Sequence, residues 1–291
     1  MPAPDRPDWS TDGRNWPNRA DSRFVDAGGL RWHVQVAGAG PDLLLLHGTG
    51  AATHSWAGLL PLLARTHRVI APDLPGHGFT VALPQAEMSP TGMGRAVAAL
   101  LRVLDAHPVA GIGHSAGAAL LIRMTLDRLI DPLVLFGING AILPLGAVPL
   151  HVFGPLARWL SSSSLVPRLF AFHASDRTVA ERLLRGTGSS PPPETLRCYA
   201  ALFRRSGHAA GALAMMAHWD LPSIARDLPG LTAKLVLIVG DNDRTIPPEE
   251  ANSVRRKLPG AEIVHLSGLG HLAHEEEPGA VAAIIGARLP A

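Results

Sequence analysis

Three short stretches carry side chains that could do chemistry together, and they follow one order along the chain. GIGHSAG (111–117) sets Ser115 between Gly113 and Gly117, ahead of the helix-forming AALLIRMTL. IVGDNDRTIP (238–247) carries Asp241 and Asp243, and LSGLGHLAHEEEP (266–278) carries His271 and His274. A serine hydroxyl is a poor nucleophile until a base takes its proton, and the base needs an acid to fix its tautomer. Serine, then acid, then histidine is the order expected when each follows a strand of one parallel sheet. Ser115, Asp243 and His271 are therefore the expected nucleophile, orienting acid and base. Asp241 competes with Asp243, which is favoured by its place ahead of Arg244-Thr245-Ile246-Pro247. His274 competes with His271, which is favoured because Gly268 and Gly270 free the loop before it. Asp241 otherwise reads as a turn residue and His274 as a solvated residue of a helix's first turn.

The flanking glycines have a physical reason. A sharp strand-to-helix turn brings backbones close on both sides of its central residue, which excludes a Cβ at the neighbouring positions. Ser115 would then project beside a helix N-terminus whose free N–H groups face the same point. The amide of Ala116, with that of Thr49 from LLLLHGTGAATHSW (43–56), is the expected oxyanion hole. His47 and Gly48 read as structural support for that loop. His114 reads as a packing residue pointing away from Ser115.

The elements needed to position these residues are legible. FVDAGGLRWHVQVAG (24–38) alternates as a hairpin around Gly28-Gly29. LLLLH (43–47), RVIAPD (68–73), VAGIGH (109–114), PLVLFGI (132–138), KLVLIVG (234–240) and EIVHL (262–266) are short apolar runs separated by helical spacing. Strands apolar along their whole length, alternating with helices, predict a mostly parallel sheet covered on both faces. The rhythm lapses over 139–231, which reads as a helical cap inserted over the sheet. The expected organisation is an extension over 1–22, a core formed by 23–138 and 232–291, and the cap. Trp9 and Trp16 make the extension a surface tail anchored by rings.

Composition narrows the classes. The 291 residues are 47% hydrophobic and 17% charged with a formal charge of +2, which suits one large core and gives no electrostatic case for nucleic acid. Cys198 is the only cysteine, so neither a disulfide framework nor a thiolate metal cluster is expected. No apolar run reaches 18 residues and the N-terminus has no signal-like core, so no transmembrane segment and a cytoplasmic location are expected. His151, His173, His208 and His218 lack close metal-ligand spacing. Glu275, Glu276 and Glu277 read as a helix start favoured by the dipole. No metal and no cofactor are expected.

HGTG (47–50), DLPGHG (73–78), GHSAG (113–117), GDNDRTIP (240–247) and GHLAHEEEP (270–278), in that order, resemble the α/β-hydrolase superfamily over residues 24–291. The resemblance implies its fold and a helical cap over the active site. Ser115 where an aspartate would stand departs from the haloalkane dehalogenase and epoxide hydrolase pattern and leaves the esterase, lipase and C–C hydrolase branch. A narrower resemblance starts in DWSTDGRNWPNRADSRFVDAGGLRWHVQVAG (8–38) and continues through 43–64 and 71–80. It is to the magnesium-chelatase accessory family of bacteriochlorophyll biosynthesis, found in phototrophic bacteria. It implies a role near magnesium insertion into protoporphyrin IX.

Two functions follow as expectations. One is a serine hydrolase acting on an ester, thioester, amide or activated C–C bond of a small molecule, with a porphyrin as one candidate. The other is a non-catalytic accessory protein binding a porphyrin or magnesium-chelatase subunits. In the second, Phe153, Trp159, Phe170 and Phe172 would face the macrocycle while Arg158, Arg168 and Arg177 pair with propionates; the plainer reading is ordinary cap core. The basic and aromatic stretch 155–172 could also make peripheral membrane contact.

Overall fold

The computed structural model describes residues 5–144, 165–174 and 177–289. Phe153, Arg158, Trp159 and most of the stretch 155–172 lie outside the described residues, as does the side chain of Arg177. Eight strands form one sheet in the order β1-β2-β4-β3-β5-β6-β7-β8. β1 (Ser22–Ala27) and β2 (Leu30–Ala37) are the antiparallel hairpin, turning at Gly28-Gly29, both at positive φ. β2 pairs antiparallel with β4 (Arg68–Pro72). From β4 onward the pairing is parallel, through β3 (Asp42–Leu46), β5 (Pro108–His114), β6 (Val134–Ile138), β7 (Lys234–Gly240) and β8 (Glu262–Leu266).

The unbroken apolar strands are explained by burial on both faces. Along β3, Leu44 and Leu46 enter one core while Leu43 and Leu45 enter the other, all four fully buried. Each such side chain contributes about 1.5–3 kcal/mol by leaving water. The first core takes α2 (Pro90–Val103) and α3 (Ala116–Leu126); the second takes α1 (Leu59–Leu63) and the C-terminal helix α11 (Pro278–Gly286). Ser89 caps α2 by accepting the Gly92 N–H, with Pro90 at the first helical position.

Among the described residues, α4 (Leu165–His173), α5 (Arg177–Gly186), α6 (Pro193–Phe203), α7 (Ser206–His218) and α8 (Leu221–Asp227) lie between β6 and β7, and α9 (Glu250–Lys257) lies between β7 and β8. Ile224 and Ala225 of α8 belong to the same core as α3, so that helix packs with the sheet layer. Residues before β1 run between sheet and insertion. Trp16 is 3% exposed and donates Nε1–H to Thr53 Oγ1 at 2.9 Å, within a cluster shared with Ala52, Cys198 and Leu202. Trp9 packs edge-on to Phe24 and Phe79. Asp5 and Asp12 pair with Arg204 and Arg205 of the insertion. Among the described residues no helix is long and apolar enough to cross a membrane.

Candidate active site

Register brings the C-terminal strand ends into line: Leu46 opposite Gly113, His114 opposite Ile138, Ile138 opposite Ile238, and Gly240 opposite Leu266. Open α/β sheets bind ligands along this edge. Ser115 directly follows β5 at φ 51° and ψ −117°, outside the regions that L-residues favour, a conformation worth about 1–3 kcal/mol of strain. The surroundings enforce it. A Cβ on Gly117 would lie 2.0 Å from Leu46 O, and one on Gly113 would lie 2.4 Å from Ala118 N. The Ser115 N–H donates to Ile138 O at 3.0 Å, and Ser115 O accepts from Ala118 and Ala141.

The expected oxyanion loop lies against the serine: a Cβ on Gly48 would come 3.0 Å from Ser115 Cβ. Ala116 opens α3, so its N–H has no carbonyl one turn back. Among the described residues neither the Thr49 nor the Ala116 amide donates to another protein group. His47 is fully buried, donates Nδ1–H to Gly48 O at 2.8 Å, and accepts the Leu74 N–H on Nε2 at 2.9 Å. Burial holds its pKa below the usual imidazole range, which preserves that tautomer.

Asp243 and His271 meet as expected. His271 Nδ1 lies 2.7 Å from Asp243 Oδ2, with the carboxylate fully buried and the imidazole 8% exposed. Asp243 Oδ1 accepts the N–H groups of Thr245 and Ile246 at 2.7 and 2.9 Å. The carboxylate therefore has one oxygen held by its own loop and the other free to orient His271. Asp241 faces outward, bonded instead to His265 Nδ1 and Ser267 Oγ. Among the described residues no hydrogen bond joins Ser115 Oγ to His271. Such bonds often tighten only when substrate is bound.

One expectation needs correction. His274 is fully buried rather than solvated, because α10 (Ala273–Glu276) packs on the Thr53–Trp56 turn; its Nε2 lies 2.8 Å from Ser55 Oγ. Burial pushes its pKa down to about 3. The glutamate run does open helices, with Glu275 and Glu276 in the first turn of α10 and Glu277 at the N-cap of α11. Glu275 is buried and accepts from Ser55 Oγ and, at 2.8 Å, from the Tyr199 hydroxyl of α6. Burial pushes the Glu275 carboxyl up to about 8. Glu276 accepts the N–H groups of Gly270 and Ser190.

Sequence reasoning passes over Asn139 and misses part of what His114 does for the histidine loop. Asn139, left-handed at φ 45° and 3% exposed, donates Nδ2–H to the carbonyls of Gly270 and His271, both at 2.9 Å, and accepts the Gly240 N–H. The Asn-Gly pair ending the run LFGING was its available signal, since asparagine tolerates that conformation. His114 is buried, as a packing residue would be, yet its Nε2–H also donates to His271 O at 2.9 Å.

Beside Thr49 and Gly50 opens a cavity of about 260 Å³, walled by apolar side chains including Phe170, Phe203, Leu213 and Met216. Phe170 thus faces the cavity, whereas Phe172 is 76% exposed and Arg168 is exposed. Two larger clefts, about 490 and 670 Å³, sit around Arg128–Asp131, away from every predicted site residue. Among the described residues no three His, Cys, Asp or Glu side chains converge to hold a metal ion.

Comparisons with known proteins bear on the fold and the family. Residues 43–284 match the alpha/beta hydrolase family. The chain is 35% identical over 263 residues to the magnesium-chelatase 30 kDa subunit of Rhodobacter capsulatus, covering 90% of this chain and 92% of that protein. It is 26% identical to 2-hydroxy-6-oxo-2,4-heptadienoate hydrolase of Pseudomonas putida, over 89% of this chain and 93% of that one. A serine hydrolase involved in carbazole degradation superposes with a TM-score of 0.73 at 19% identity, over 91% of this chain and 97% of that structure, a likeness of fold alone. The eight-stranded, mostly parallel sheet and the match over 43–284 together place this chain in the alpha/beta hydrolase family.

Proposed function

We propose that the protein is a serine hydrolase acting on an ester, thioester or amide, close to the step that inserts magnesium into protoporphyrin IX. The observation that carries the chemistry is the buried His271–Asp243 pair at 2.7 Å, on the same sheet edge as the strained Ser115 turn. Ser115 Oγ attacks the substrate carbonyl carbon while His271 Nε2 takes the hydroxyl proton. Asp243 holds Nδ1–H and stabilises the imidazolium that forms. The amides of Thr49 and Ala116 receive the oxyanion. The bond to the leaving group breaks as His271 returns the proton to it. Water, activated by the same imidazole, then releases the acyl group. The apolar cavity takes an apolar part of the substrate; at about 260 Å³ it is smaller than the ~300–1,000 Å³ usual for whole drug-sized ligands. The pathway rests on likeness to a protein named as a magnesium-chelatase subunit.

That name also supports a second reading, a non-catalytic accessory protein that binds a porphyrin or chelatase subunits. Labelling with a fluorophosphonate separates the two. The wild type should label, and Ser115→Ala and His271→Ala should not. Asp243→Asn should label ~10⁴-fold more slowly, as expected when the histidine loses its orienting acid. Asp241→Asn should label within about twofold of wild type, because Asp241 touches no proposed catalytic group. A folded wild type that does not label refutes the hydrolase and leaves the accessory reading.

A further inference from the structure

The loops bearing Asp243 and His271 are not held by the sheet alone. One turn of the insertion, Thr187-Gly188-Ser189-Ser190 after α5, touches both. Thr187 O accepts the N–H of Arg244, the residue after Asp243, at 3.0 Å. Ser189 Oγ accepts the N–H of Leu272, the residue after His271, at 2.8 Å. The Ser190 N–H donates to Glu276 Oε2 at 3.0 Å, and Glu276 Oε1 accepts the N–H of Gly270, the residue before His271, at 3.0 Å.

The contact is close enough to transmit position. Gly188 has φ +87°, and a Cβ there would lie 1.9 Å from Asn242 O, next to Asp243. A Cβ on Gly270 would lie 2.4 Å from the Gly188 carbonyl and 2.5 Å from Ser189 Oγ. Ser189 is 2% exposed, so its bond to Leu272 is not readily replaced by water. Support of the histidine loop is divided by atom type. The carbonyls of Gly270 and His271 are held from the sheet by Asn139 and His114. The N–H groups on either side of His271 are held by Ser189 and by Glu276, itself fixed from Ser190.

We infer that Ser189 is a positioning residue, through which docking of the insertion aligns His271 with Asp243. The inference rests on the serine-hydrolase reading of those residues. The insertion is then part of the acid–base machinery as well as a wall of the cavity. If it lifted from the sheet, the bonds flanking the histidine would be released together.

The test compares Ser189→Ala, Ser189→Thr and Tyr199→Phe with wild type. Tyr199→Phe breaks another bond between insertion and core, to Glu275, while keeping the ring in its cluster with Leu272 and leaving the bonds to Gly270 and Leu272 N–H intact. Two readouts are taken: the pH profile of fluorophosphonate labelling, and the far-downfield proton signal of the His271–Asp243 hydrogen bond. Ser189→Ala should label ~10–100-fold more slowly, the scale of a small misplacement of a catalytic group. Its pH profile should shift and the downfield signal should broaden or vanish. Ser189→Thr, which keeps the hydroxyl, should recover both. Tyr199→Phe should lower Tm while leaving both readouts near wild type.

Unchanged labelling, profile and proton signal in Ser189→Ala overturn the inference. So does equal slowing in Ser189→Ala and Tyr199→Phe in step with their loss of Tm, because general loosening would then suffice. If Ser189→Ala does not fold, Ser189→Cys takes its place, because a thiol accepts the Leu272 N–H only weakly; a shifted pH profile there supports the inference and an unshifted one overturns it. A wild type that fails to label but shows the downfield proton refutes the hydrolase alone; the proton signal in the Ser189 variants then decides the positioning role.

Discussion

Ser115 is fixed by backbones too close to admit a side chain beside it, whereas His271 and Asp243 are fixed by hydrogen bonds from distant parts of the chain. On the serine side, Gly113 and Gly117 lie in the same seven-residue stretch as the residue they strain. On the acid–base side, support comes from His114, Asn139, Ser189 and Glu276, which span more than half the chain. Steric exclusion needs only local sequence and leaves a recognisable motif. Hydrogen-bonded support needs the fold, and any polar residue at the right place can supply it.

The largest expected effect probes the steric side. Ser115→Gly should cut labelling by ~10⁴-fold or more, as loss of a nucleophile does. The same change should raise stability by about 1 kcal/mol, because glycine relieves the φ 51° strain at a smaller entropic cost. Activity assays and chemical denaturation would show both. A variant less stable than wild type would mean the serine turn is not strained, and the contrast between the two regions would fail.

An intermediate effect probes the hydrogen-bonded side. Asn139→Ala should cost about 3 kcal/mol, since it strands the buried Gly240 N–H and the Gly270 carbonyl, takes one of two bonds from His271 O, and leaves alanine at φ 45°. Denaturation curves measure the cost. A loss below about 0.5 kcal/mol, the level of an ordinary surface change, would make the support from the sheet dispensable.

A further effect, spread over both regions, is the response to pH. His47, His54, His77, His114, His208 and His274 are buried with pKa values lowered by burial. Below about pH 6.5 the unfolded chain binds protons that the folded chain refuses, so stability should fall on acidification. Glu275 works with the opposite sign. Burial raises its folded pKa to about 8, so the stability it contributes at low pH is lost as pH rises from the ordinary glutamate value through 8. Tm should peak near neutrality, and Glu275→Gln should flatten the alkaline limb, as thermal melts from pH 5 to 9 would reveal. An unchanged alkaline limb in that variant would remove Glu275 from the account.

The sequence by itself determined the sheet, because strands buried on both faces must be apolar throughout and turn residues must mark their ends. It also determined the serine turn, because the glycines that permit it are its immediate neighbours. It narrowed acid and base to two candidates each. The preference for Asp243 over Asp241 rests on sequence; in the fold Asp243 faces His271 and Asp241 faces His265. Tertiary structure alone decided that His274 and Glu275 are buried, since the surface covering them comes from Ser55 and from Tyr199 of the insertion. It alone brought Asn139 and Ser189 to the histidine loop. Their partners are more than eighty residues away in the chain, and a hydrogen bond between distant residues leaves no period or spacing in sequence.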